Sequence, residues 1–152
     1  MTLFKGKEKN KASGKRIIRT CCIGEVFDLS LVSNDAISSK VLGEGFAVSC
    51  SDSTIASPGN GCIKDIADNG HTYAIELEDG ISLLVCVSWK DKDEELEPSV
   101  EIGQTVAAGD VLCVKDNAEA AVVVTNIEKM SNYKIAYGKA KNLTDGVIVY
   151  EM

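Results

Sequence analysis

The chain has 152 residues, 45% of them hydrophobic, with six cysteines, one histidine and a net charge of −7. That length suits one domain with a real core, and no apolar run approaches the roughly 20 residues that span a membrane. An acidic body lacks the clustered cations that phosphate contacts need, which argues against nucleic acid as a partner, and without a CxxC pair there is neither a zinc ribbon nor a thioredoxin-like motif.

Residues 1–19 hold Lys5, Lys7, Lys9, Lys11, Lys15, Arg16 and Arg19 against Glu8. This stretch reads as a basic flexible arm, solvated rather than packed. It lacks the apolar core of a secretory signal, so a cytoplasmic protein is expected, with the folded domain over residues 20–152. In a reducing cytosol most of the cysteines are expected to be thiols. Cys50, Cys62 and Cys113 read as small buried hydrophobes, whereas the adjacent Cys21 and Cys22 stay open.

Short apolar or alternating runs then recur over residues 23–32, 40–50, 61–67, 71–77, 81–87, 111–114, 120–127 and 147–150. Between them stand turn signals such as Pro58-Gly59, Asn69-Gly70, Asp79-Gly80 and Asp145-Gly146. This is the rhythm of an all-β sandwich or barrel. Only residues 36–42 and 118–122 pass for a helical turn.

His71 is the only imidazole, and fifteen residues later stands Cys86. The intervening runs meet at Asp79-Gly80, a strong hairpin signal. With a two-residue turn Tyr73 falls opposite Cys86 and His71 opposite Ser88, which makes His71 and Cys86 diagonal neighbours on one face. With a three-residue turn alternation would put them on opposite faces. The spacing leaves both registers open. A zinc half-site from His71 and Cys86 is a weak signal, since two further ligands would be needed.

Gly43-Glu44-Gly45-Phe46-Ala47-Val48, Ser57-Pro58-Gly59-Asn60-Gly61, His71 before Ala74-Ile75-Glu76, Asp79-Gly80 with Leu83-Leu84-Val85, the run from Gly103-Gln104-Thr105-Val106 to Gly109-Asp110-Val111-Leu112, and Val122-Val123-Val124-Thr125-Asn126 occur in that order. As an ordered set they resemble the glucose-family EIIA domain of the bacterial phosphoenolpyruvate-dependent sugar phosphotransferase system. The resemblance implies an all-β barrel-sandwich of the duplicated-hybrid type. It implies a cytoplasmic phosphocarrier that needs no cofactor or metal and docks HPr-like and EIIB-like proteins or a transporter.

In that family two histidines share a shallow apolar depression and the second carries the phosphoryl group. The first maps to His71, and the second position is Cys86. Asn69 stands where relatives often carry a threonine that bonds to the pair. The Gly-Ile-Asp-Thr-Val run that follows the acceptor is here Val87-Ser88-Trp89-Lys90-Asp91. Ile37, Val41, Leu42, Phe46, Val48 and Trp89 are the expected apolar rim for partners. These departures imply a divergent or degenerate carrier acting by docking. The alternative is an active carrier that uses Cys86 as a thiolate, or His71.

Overall fold

The computed structural model describes residues 15–91 and 93–152. In chain order the elements are β1 (Arg16–Arg19), β2 (Gly24–Asp28), the single-turn helix α1 (Asp35–Ser38), β3 (Glu44–Cys50), β4 (Thr54–Ala56), β5 (Gly61–Ala67) and β6 (Thr72–Leu77). They continue with β7 (Ser82–Val87), β8 (Thr105–Val106), β9 (Val111–Val114), β10 (Glu119–Val124), β11 (Ser131–Ile135), β12 (Gly138–Ala140) and β13 (Gly146–Glu151). The expected all-β sandwich is the fold observed. An eight-stranded sheet runs β12-β2-β3-β10-β7-β6-β5-β8, beside a three-stranded sheet β1-β13-β11 and the pair β4-β9.

Two elements differ from the sequence expectation. Residues 118–122, with a helix-compatible Ala-Glu-Ala-Ala-Val, are the end of a turn and the start of β10, which is buried along nearly its whole length between β3 and β7. A strand covered on both faces shows no alternation and imitates a buried helical run. Arg16–Arg19, assigned above to the flexible arm, is β1 and pairs antiparallel with β13. Ile18 is fully buried there, so its apolar burial holds the strand in the fold despite the flanking arginines. Residues 1–14 of the arm lie outside the described residues.

The alternation of β10 builds two apolar layers. Ala120, Val122 and Val124 face the main core together with Phe46, Val48, Tyr73, Val85 and Ile148. Ala121 and Val123 face a second, smaller cluster with Leu29, Val32, Ile37, Ala47, Cys86 and Trp89. That smaller cluster is roofed by the connection between β2 and β3, which contains α1. Asn34 starts α1 by accepting the Ile37 amide on Oδ1 at 3.2 Å, an N-cap that fixes where the roof begins.

The cysteines divide by environment. Cys22 and Cys50 form a disulfide with Cα atoms 6.0 Å apart, which corrects the reading of Cys50 as a buried thiol. The hydrophobic pattern could not show it, because the bond joins the bend before β2 to the last residue of β3, which meet only after the two strands pair. Cys62 is half-buried rather than buried, whereas Cys113 and Cys21 are buried thiols. Burial pushes the Cys21 thiol up to about 12, so it has no reactive thiolate at neutral pH.

Asp28 ties the roof to the far edge of the sheet. Its carboxylate accepts the Ser30 amide at 2.8 Å and the Tyr137 hydroxyl at 2.9 Å, and Lys40 Nζ lies 3.2 Å away. The Ser30 hydrogen bond, then Tyr137 and Lys40, hold the carboxyl down to about 2 from 3.8. A folded value below the unfolded one means the contribution is present above the unfolded value and is lost as pH falls through the folded one. Denaturant unfolding at a series of pH values is therefore expected to show parent and Asp28→Asn converging as pH falls from 3.8 to about 2. A gap that stays constant over that window contradicts this assignment.

Candidate functional site

The β6–β7 hairpin closes with the longer of the two turns. Leu77 N donates to Ile81 O at 2.8 Å and Gly80 N to Leu77 O at 3.0 Å, leaving Glu78, Asp79 and Gly80 as a three-residue loop. Gly80 supplies the left-handed residue, φ 92°, that such loops need. Asp79 Oδ1 accepts the Ile81 amide, and its Oδ2 accepts the Tyr150 hydroxyl at 2.6 Å. The loop is thus anchored to β13. In this register Thr72 pairs with Cys86 and Tyr73 with Val85, one residue off the two-residue-turn register.

His71 and Cys86 nevertheless line one depression of about 230 Å³. Strict alternation would separate them, but His71 precedes β6 and has φ −93° and ψ −16°, so the strand rule does not govern it. Just before it Asp68, Asn69 and Gly70 all have positive φ, at 55°, 57° and 87°. Asn tolerates this region and Gly favours it. These three residues turn the backbone so that the imidazole swings back toward β7. Asp68 also accepts the Thr72 hydroxyl at 2.8 Å, which fixes the turn to the strand.

The floor of the depression includes Thr72 and Cys86, which pair across β6 and β7 and so share a face. The same row continues through Ala121 and Ala47, which lie buried in the smaller apolar cluster. Ile37 and Leu42 from the roof, Leu84 from β7 and Trp89 form the walls.

The imidazole is committed on both sides. Nδ1 donates to the Val87 carbonyl at 2.8 Å and Nε2 to the Glu94 carbonyl at 2.6 Å. A carbonyl only accepts, so the two bonds form together only when both ring nitrogens carry hydrogen. His71 is 1% exposed. Each ring nitrogen faces a carbonyl oxygen at hydrogen-bond distance, so in this arrangement neither is open toward a phosphorus atom or a metal ion. Among the described residues no group of three or more His, Cys, Asp or Glu side chains is placed to hold a metal ion.

The expected rim divides. Ile37, Leu42 and Trp89 line the depression, and Val41 is 76% exposed beside it. Phe46 and Val48 are fully buried in the main core, so they are not rim residues. They flank Ala47, and one step along a strand moves a side chain to the other face. Trp89, expected on the rim, is a buried wall of the depression, with its indole nitrogen donating to Ser33 Oγ at 3.2 Å. Asn69 is not among the lining residues; its carbonyl accepts the Leu96 amide at 2.9 Å. Asp68 and Thr72 line the depression and were not anticipated, although the Asp68-Asn69-Gly70 turn signal pointed to their place.

Comparison with known proteins fits this geometry. The sequence model for "phosphoenolpyruvate-dependent sugar phosphotransferase system, EIIA 1" matches residues 16–131. A glucose-specific EIICBA component of Streptococcus pneumoniae is 31% identical over 124 residues, which are 74% of this chain and 17% of that protein. A glucose-specific EIIA component of Halalkalibacterium halodurans is 28% identical over 142 residues, 84% of this chain and 82% of that one. The chain spans about a fifth of the EIICBA relatives it matches, 21% in Staphylococcus carnosus. Glucose permease IIA of Mycoplasma capricolum superimposes with a TM-score of 0.78 at 21% identity, covering 89% of this chain and 95% of that one. That last likeness concerns the fold.

Proposed function

The chain belongs to the EIIA 1 family of the phosphoenolpyruvate-dependent sugar phosphotransferase system, and from that premise we propose that it is a divergent EIIA component that acts by docking and is closed to phosphoryl transfer in this conformation. The observation that carries the reading is the state of the acceptor pair. Cys86 stands at the position that the resemblance gives to the acceptor histidine, and both nitrogens of the chain's only imidazole are spent on carbonyl oxygens.

The docking half of the proposal rests on the depression and its surroundings. Leu31 and Val41 are 72% and 76% exposed, and Leu42 is 39% exposed on the wall. Exposed apolar residues beside a shallow depression are what a carrier protein would cover. The partners proposed are HPr-like and EIIB-like proteins or a transporter, in the cytoplasm. No helix among the described residues is long and apolar enough to cross a membrane.

A second reading has one feature in its favour. Cys86 reaches the depression, so an active carrier would form a phosphothiol there.

Docking is tested by titrating ¹⁵N-labelled chain with HPr. Amide shifts are expected to cluster around Val41, Leu42 and Thr72. Val41→Asp should weaken binding about tenfold, about 1.4 kcal/mol, by placing a charge in an apolar contact. Stability should change by no more than about 0.5 kcal/mol, because the side chain is solvated. No shifts with either HPr or an EIIB domain would remove the docking reading.

A further inference from the structure

Residues 93–96 cross over His71 and are fastened at three points. The Glu94 carbonyl takes the Nε2 hydrogen of His71 at 2.6 Å. The Leu96 amide donates to Asn69 O at 2.9 Å, and the Leu96 side chain is 7% exposed in the main core. Lys115, the residue after β9, reaches Glu94 Oε1 at 2.9 Å. The fit is close: a Cβ on Gly70 would lie 2.1 Å from the Leu96 carbonyl oxygen, so only glycine lets the segment sit down on the turn before His71. The Lys115 hydrogen bond and charge hold the Glu94 carboxyl below the usual range, with the His71 ring contributing last.

The unequal character of these attachments matters. The bonds to Nε2 and to Asn69 come from backbone groups, so they are lost only if the segment moves as a unit. The ion pair is at the surface and is a weak restraint. The other ring nitrogen is held independently, by the Val87 carbonyl within the sheet. Moving the segment would therefore free Nε2 and leave the ring oriented.

We propose that residues 93–96 are a strap latched over His71, and that releasing the strap makes Nε2 of His71 a phosphoryl acceptor for N-phosphorylated donors. This rests on the EIIA-type reading of the depression. On release the Nε2 proton, which Nε2 holds while hydrogen-bonded to Glu94 O, passes to solvent and leaves a nitrogen lone pair. That pair forms the N–P bond as the donor's own P–N bond breaks, and the donor nitrogen takes up a proton. The ring keeps its Nδ1–H bond to Val87 O throughout. Closure and loss of function are then different things: the same site is silent when strapped and competent when open.

Because His71 is the only imidazole, the ultraviolet absorbance of N-carbethoxyimidazole reads its modification alone. In the full chain, diethyl pyrocarbonate should acylate His71 about 100-fold more slowly than N-acetylhistidine, since reaction waits for local opening. Lys115→Ala should raise the rate a few-fold. Leu96→Ala, which removes the buried anchor, should raise it by at least about tenfold. Potassium phosphoramidate, a small N-phosphorylated donor that needs no docking, should then give a ³¹P phosphohistidine signal in the Leu96→Ala chain and little in the parent.

Parent His71 reacting like N-acetylhistidine overturns the strap. So does an unchanged rate in both variants. His71 that becomes reactive to diethyl pyrocarbonate yet takes no phosphoryl group from phosphoramidate overturns the acceptor assignment. If Leu96→Ala does not fold, the parent rate and Lys115→Ala still decide. None of these readouts involves HPr, so failure of the docking proposal would show separately in the titration above.

Discussion

Incubated with phosphoenolpyruvate, enzyme I and HPr, the Cys86→His variant is expected to take up at least about ten times more phosphoryl group than the parent. On the proposed reading, position 86 is short of an imidazole while the scaffold around it is kept. Position 86 is on β7, paired on one side with Thr72 and on the other with Ala121, and opens into the depression at 8% exposure. An imidazole at 86 would enter a space walled by Ile37, Leu84 and Trp89 without needing either nitrogen of His71. The larger side chain should cost about 1–3 kcal/mol of stability by crowding that small apolar cluster. Rapid-quench measurement of acid-labile phosphate checks the gain. Equal, low labelling of a folded Cys86→His chain would mean that the departures after Ser88, not the missing imidazole, close the relay.

Phe46→Ala is expected to destabilise the chain by about 3–5 kcal/mol, while Val41→Ala should stay within about 0.5 kcal/mol. Both residues belong to the apolar set that the sequence assigns to the rim, and the fold gives them opposite duties. Phe46 has no accessible surface and packs with Val48, Val122 and Val85 between the sheets. Val41 stands 76% exposed. Urea unfolding of the two variants separates the roles, and similar small effects would place Phe46 outside the core.

How much of this was legible depended on length and parity. The runs at 44–50, 61–67, 72–77, 82–87 and 111–114 are strands because their apolar residues recur over enough positions to be seen. β4, β8 and β12 have three, two and three residues, too few for any period to show. β1 was hidden by charge, since Arg16 and Arg19 outweigh Ile17 and Ile18 in a composition reading although Ile18 is buried. β3 is apolar on both faces, so its sequence does not reveal that Phe46 and Val48 point one way and Ala47 the other. The hairpin was visible at Asp79-Gly80, but its register was not. Asp79 is held by Tyr150, a residue of β13 that is distant in sequence, and the loop geometry depends on that contact.

His71 and Cys86 line one depression for a local reason. Alternation in the observed register would have parted them. The positive-φ turn at Asp68, Asn69 and Gly70 brings them to one depression. The capture of both ring nitrogens had no sequence signal, because its two acceptors are backbone carbonyls of Val87 and Glu94. Side-chain identity does not encode such partners; only the path of the chain after Trp89 does.

The central claim is that this EIIA-family chain does not relay phosphoryl groups in its closed state. It is tested most directly by labelling the unmodified chain with [³²P]phosphoenolpyruvate, enzyme I and HPr, beside an EIIA domain that retains the acceptor histidine. The expected result is incorporation into the chain at about a hundredth of the relative's rate or less, with Cys86→Ala and His71→Ala equally unlabelled. Incorporation approaching one phosphoryl group per chain at the relative's rate would contradict the account. Its loss in one alanine variant would then name the residue that carries the group.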